Sequence, residues 1–180
     1  MKEAFTHKSL LILGRGIGQV MFQNNALSGL LMLIGIFLNS WQMGLLAVSG
    51  NIISTSTGRI SGYDRDDIKN GLYGFNGTLV GIAVGVFMHL TVNSLILMAI
   101  ASCASTYIAR FFNMQRMLPG FTTLFILSVW MLLGLCSWLM PDMLLVSDTE
   151  TPASSSINYL QCFSMSIGQV MFQGNIMTGL

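Results

Sequence analysis

The chain has 180 residues, 53% of them hydrophobic and only 8% charged, with a mean hydropathy of +0.68. A soluble domain carries about 25% charged residues, so this composition excludes an ordinary soluble fold and makes the bilayer the natural solvent. The formal net charge of +1 comes from scattered basic residues rather than a patch, which argues against a nucleic-acid partner.

The N-terminus, MKEAFTHKSLLILGRG, starts charged, and its apolar run is too short for the core of a signal peptide. No charge then occurs between Arg15 and Arg59. A membrane-crossing helix needs about 20 mostly apolar residues, so this stretch predicts two spans joined by a tight uncharged turn. Gln19, Val20, Met21 and Phe22 stand at the head of the first of them. An uncharged amide is costly at membrane depth unless it is paired or lines a wet cavity. Phe22, three residues on, falls on roughly the same helical face as Gln19. The pair serves either as packing and interhelical glue or as the mouth of a path.

A charged loop, with Arg59, Arg65 and Lys69, follows. Asp64, Asp66 and Asp67 interleave with those bases and read as a solvated helix start rather than a cation site. The next charge-free stretch runs from Lys69 to Arg110, long enough for two more spans, with His89 inside. Its beginning carries Gly71, Gly74, Gly77, Gly81 and Gly85, small residues that permit close helix contact. Phe75 and Leu79 are four apart and share a face, either as tight packing or as the wall of a narrow apolar passage. Asn76-Gly77-Thr78 matches a glycosylation sequon but lies within an expected span and is set aside.

Arg110 and Arg116 precede the third charge-free stretch, 117–141. LPGFTTLFILSVW starts there with Pro119, at home in a first helical turn, and with Thr122 and Thr123. It predicts one ordinary span, or a span preceded by a short helix that points into the membrane and presents oxygens to a cavity. Asp142, Asp148 and Glu150 follow without any Lys or Arg. Basic loops mark the cytoplasmic side, so 59–69, 110–116 and the N-terminus are expected inside and 142–158 outside, after five crossings.

The chain repeats itself. RGIGQVMFQNNALSGL (15–30) and MSIGQVMFQGNIMTGL (165–180) agree at ten of sixteen positions, at an offset of 150, with the linker-like TETPASSSINY (149–159) before the second copy. After five crossings the second copy enters from the opposite side. That is an inverted-topology repeat, which puts a substrate site near the midplane. Residues 1–150 are thus expected to form a first repeat of about five spans plus a re-entrant piece. Residues 151–180 are the linker and the truncated start of a second, and the whole is about half of a longer chain.

The duplicated GQVMFQNN and GQVMFQGN, the YGFNGTLVG run and the LP-x-x-T run together resemble the urea transporter family. The resemblance implies an all-α integral membrane fold, a multi-span helical bundle with inverted repeats and re-entrant pore half-helices. It further implies a homotrimer in the cell (inner or plasma) membrane, without cofactor, passing urea through a narrow channel without ion coupling. Carried over by motif, Gln19, Val20 and Phe22 resemble one mouth of the urea path, and Gln169, Val170 and Phe172 the other. Phe75 and Leu79 resemble slot walls, and Thr122 the central threonine of the pore helix. Leu124 stands where the family run has a second Pro, which leaves the register between Thr122 and Thr123 open. Some relatives carry Glu in place of Gln169.

The alternative is an ion-coupled secondary transporter of a small neutral polar solute, which calls for an intramembrane titratable group. His89 is the one candidate of that kind. An enzyme calls for a nucleophile–base pair or metal ligands. His7 and His89 stand alone, and Cys103, Cys136 and Cys162 lie in apolar surroundings without C-x-x-C spacing, as buried inert thiols do.

Overall fold

The structure, a computed structural model, describes residues 2–115 and 123–145, with side chains over 8–112 and 123–145. It is helical throughout, and the described residues form no named strand. Helix α1 spans Lys2–Gly18, α2 Ala26–Asn39, α3 Trp41–Ile60, α4 Arg65–Lys69, α5 Gly74–Phe87, α6 Val92–Gln115 and α7 Thr123–Leu139.

Local chemistry sets the boundaries. Ser40 forms the whole turn between α2 and α3. Its amide donates to the Ile36 carbonyl at 2.8 Å to close one helix, and its hydroxyl accepts from the Met43 amide at 3.4 Å to open the next. This is the tight uncharged turn expected inside the first charge-free stretch. Asp64 caps α4 by accepting from the amides of Asp66 and Asp67, at 2.8 and 3.1 Å. Thr91 and Ser94 cap α6 reciprocally: each backbone amide donates to the other's hydroxyl, at 2.9 and 3.2 Å.

The start of the chain departs from expectation. The residues before Arg15 form α1, and QVMF sits at a break rather than at the head of a helix. A single 3₁₀ turn, Gln19–Met21, ends in Phe22 at φ 57°, in the left-handed region. Asn25, extended, then accepts from the Leu27 amide at 2.9 Å and starts α2. Asn favours such caps over helix interiors, because its side chain competes for backbone groups. The two segments Lys8–Met21 and Ala26–Asn39 bend by 75° across this break.

Helix α5 is the centre of the bundle, and Gly74–Val84 are buried on every side. It lies on α3 with backbone against backbone: a Cβ on Gly50 would overlap the Gly77 carbonyl, and one on Gly77 the Gly50 carbonyl. Its Val80, Ile82 and Val84 join Met98 of α6 and Val129 and Leu132 of α7 in the main core. Between α3, α5 and α6 runs a buried polar seam. Asn51 donates to the Leu13 carbonyl at 3.2 Å and to the Thr78 hydroxyl at 3.0 Å, and accepts from the Thr55 hydroxyl at 3.2 Å. Ser54 donates to the Ser102 carbonyl at 2.8 Å.

Among the described residues, one helix is long and apolar enough to cross a membrane alone, over Val92–Phe112; the bent pair passes the same test together. Helix α5 has 14 residues, about 21 Å at 1.5 Å per residue, against a hydrocarbon core of about 30 Å. Helix α3 has 20 residues, but Asn51, Ser54 and Thr55, which it turns inward, lower its apolar character. The outer faces are apolar, with Leu38, Trp130, Met131 and Trp138 all exposed. The segment 118–122, where a membrane-dipping half-helix is expected, and the second motif copy lie outside the described residues.

Two sets of contacts orient the ends of the bundle. At one end the Arg15 guanidinium donates to the Lys69 carbonyl at 3.2 Å, and Arg110 sits 5.3 Å from the centre of the Tyr63 ring. At the other, the ends of α5 and α7 pair: the His89 amide donates to the Met143 carbonyl at 2.8 Å, and the Leu145 amide to the Phe87 carbonyl at 2.9 Å. His89, the one titratable candidate within the charge-free stretches, is an exposed residue of the turn between α5 and α6.

Candidate substrate path

The break after α1 delivers Gln19 and Val20 to the beginning of α5. The Gln19 amide donates to the Asn70 carbonyl at 3.0 Å, four residues before α5 starts. The Asn24 amide reaches the Asn70 side-chain oxygen at 3.1 Å. Gly71 makes this approach possible. It has φ 76°, which favours glycine, and a Cβ there would overlap the backbone amide of Gly16. Val20 is buried in the same apolar cluster as Phe75 and Leu79.

Five of the expected path residues are therefore described, and the structure unites three of them, Val20, Phe75 and Leu79. Gln19 is half-buried and tied to Asn70, whereas Phe22 is 62% exposed. The shared helical face expected for Gln19 and Phe22 is absent, because α1 ends at Gly18, the 3₁₀ turn ends at Met21, and Phe22, itself left-handed, lies exposed beyond it. Thr122, Gln169, Val170 and Phe172 lie outside the described residues.

Behind this apolar cluster, the seam between α3 and α5 is polar without being charged. Helices α2, α5 and α7 contain no Asp, Glu, Lys, Arg or His. Charges collect instead in the loop before α5. There the backbone amides of Asp67 and Asp66 hold the Asp64 carboxyl below its usual 3.8. Burial, and then the Asp64 charge, push Asp67 above that value, against the pull of Arg110 and of the nearby Tyr73 hydroxyl.

Sequence reasoning missed Asn70 as the anchor of Gln19 and Asn51 as the hub of the seam. It set Asn76 aside as a stray sequon. All three are amides within or bordering charge-free stretches, and Asn51 and Asn76 are 0% exposed. An amide in the middle of an apolar run was the signal available for those two.

A bundle with apolar outer faces, glycine-mediated helix contacts and an uncharged polar interior is the build of a helical membrane protein. Comparison with known proteins sharpens this. The chain belongs to the urea transporter family, which it matches over residues 10–180. It is similar to Urea transporter 1 of Mus musculus, 41% identical over 75 residues, which are 42% of this chain and 20% of that protein. The Rattus norvegicus protein of the same name is 42% identical over 73 residues, covering 41% of this chain and 19% of its own length. That of Ovis aries is 40% identical over 73 residues, with the same coverage. The matched stretch thus spans about a fifth of these relatives.

Proposed function

We propose that the protein conducts urea passively across the membrane and that this chain supplies one wall of the pore. The observation that carries the reading is the joining of Val20, from the duplicated motif, to Phe75 and Leu79 in a cluster that, among the described residues, contains no Asp, Glu, Lys, Arg or His. Urea is planar, neutral and rich in N–H donors. Amide, hydroxyl and backbone oxygens accept those donors, while Phe75 and Leu79 flank its plane. Walls without charge give an ion nothing in exchange for its hydration shell, and a narrow slot rejects wider solutes. Ion coupling is disfavoured by the position of His89 outside the helices.

In this proposal Gln169, Val170 and Phe172 form the facing mouth in an inverted second repeat, Thr122 stands at the middle, and three subunits assemble with one pore each. The N-terminus and the loop 59–69 face the cytoplasm of a cell whose plasma or inner membrane holds the protein.

The test is urea flux in proteoliposomes of the full-length protein, followed by stopped-flow light scattering. Urea permeability above bare lipid, rising linearly with urea and unchanged by ionophores, is expected. Saturation together with ionophore sensitivity favours the coupled alternative, and lipid-level permeability overturns both. Thr122→Val removes a hydroxyl at nearly constant volume. Losing a buried hydrogen-bond partner costs about 1–3 kcal/mol, so flux should drop roughly 5- to 150-fold. Normal flux in Thr122→Val and Thr123→Val alike would take the threonine out of the path.

A further inference from the structure

Among the described residues two asparagines are buried completely, and they differ in one respect. Asn51 uses both ends of its amide, donating to Leu13 and Thr78 and accepting from Thr55. Asn76, in the first turn of α5, has 0% exposure, and neither its Nδ2 nor its Oδ1 meets a hydrogen-bond partner. Buried polar side chains nearly always have partners, and an orphan calls for an explanation such as a role in binding.

The helix shows which way Asn76 lies. Gly74 and Gly77 turn to Asn51, Ser54 and Gly50, Gly81 turns to Leu46, and Thr78 receives the Asn51 amide. These four residues define the side of α5 set against α3. At about 100° per residue, Asn76 falls on the other side, with Phe75 and Leu79, about 60° from Leu79. An unpartnered, buried primary amide therefore stands beside the two apolar residues of the candidate slot.

We propose that Asn76 is a specificity-determining residue of the urea path, its amide being the hydrogen-bond partner of the passing solute. The inference rests on the urea-conducting reading above. The Oδ1 atom accepts an N–H of urea while Nδ2 donates to the urea carbonyl, a neutral two-point pairing that water matches at only one point at a time. Phe75 and Leu79 confine the plane of the solute, and Asn76 reads its edge.

Asn76→Leu, with the same branched heavy-atom outline and without the amide, tests this in proteoliposomes of the full-length protein, with urea and water permeability measured on the same vesicles. Urea permeability should drop roughly 5- to 150-fold, with water permeability and the thermal midpoint retained. Wild-type urea flux in Asn76→Leu overturns the proposal while leaving urea conduction standing. An equal loss of urea and water permeability overturns it too, since the amide then holds the pore open without reading urea. If the wild type itself conducts no urea, both readings fail. A second measurement needs no substitution: the Asn76 side-chain ¹⁵N resonance of the wild-type protein in bilayers should shift on adding urea, and an unmoved resonance overturns the proposal even where Asn76→Leu does not fold.

Discussion

Asp64 and Asp67 are three residues apart and respond to protons in opposite senses. The Asp64 carboxylate accepts from two backbone amides, which lowers its folded-state value. Its contribution to stability is therefore complete above 3.8 and is lost as pH falls through that lower value. Asp67 is raised, chiefly by burial. Its contribution is present below 3.8 and is lost as pH rises through the folded value. At pH 7, Asp64→Ala should lower the thermal midpoint in detergent and Asp67→Asn should raise it, since Asn keeps the shape of the side chain without the desolvated charge. Near pH 3 the benefit of Asp67→Asn should vanish. A benefit that persists at low pH would mean that charge is not its origin. The anchor of Gln19, Asn70, follows directly on α4, so the loop that titrates here also holds the candidate mouth.

At the level of helices, the glycines of α3 and α5 decide how close the two elements lie. Gly77→Ala puts a methyl group into the Gly50 carbonyl and the Ser54 hydroxyl, and Gly50→Ala puts one into the Gly77 carbonyl. Overpacking of this kind typically costs about 1–3 kcal/mol, and backbone atoms yield less readily than side chains. Each single change should lower thermal stability. The double change should cost less than the sum, because the first methyl already separates the helices. Full additivity in a double-mutant cycle would deny the shared contact. The charge-free stretches made most helices and the Ser40 turn legible. They did not reveal α1, which carries Lys8 and Arg15 and so looks like a solvated leader. Nor did they reveal the break at Phe22, because GQVMFQ has no proline and its helical reading is locally sound. At that break Gln19 is held by Asn70, a partner 51 residues away, which no local pattern shows. The face shared by Phe75 and Leu79 was legible because both lie in one uninterrupted helix. The openness of Asn76 was not, since hydrogen bonding is a property of the assembled core.

On the scale of the molecule, the basic loops gather at one end, through Arg15 with Lys69 and Arg110 with Tyr63, while the ends of α5 and α7 join at the other. This supports the sidedness proposed from the Lys and Arg distribution. Impermeant thiol labelling of intact cells expressing the full-length protein, in a background without other reactive cysteines, should modify Ser154→Cys and spare Ser61→Cys until the membrane is opened. The reverse pattern would invert the orientation and with it the repeat argument.

The contact of Gly50 with Gly77 also has a mechanical side. Where side chains separate two helices, rotamer hops on the picosecond-to-nanosecond scale let the gap breathe. Where backbone meets backbone there is no rotamer to hop, and hydrogen-bonded peptide planes resist compression far more stiffly. Phe75 and Leu79 are mounted, through α5, on such a contact. The slot wall proposed for them is thus anchored at the back to a rigid surface, so its compliance lies in the two side chains alone. A filter that discriminates by the thickness of a flat molecule works only while its jaw holds its setting, and here the stiffness comes from residues that have no side chain at all.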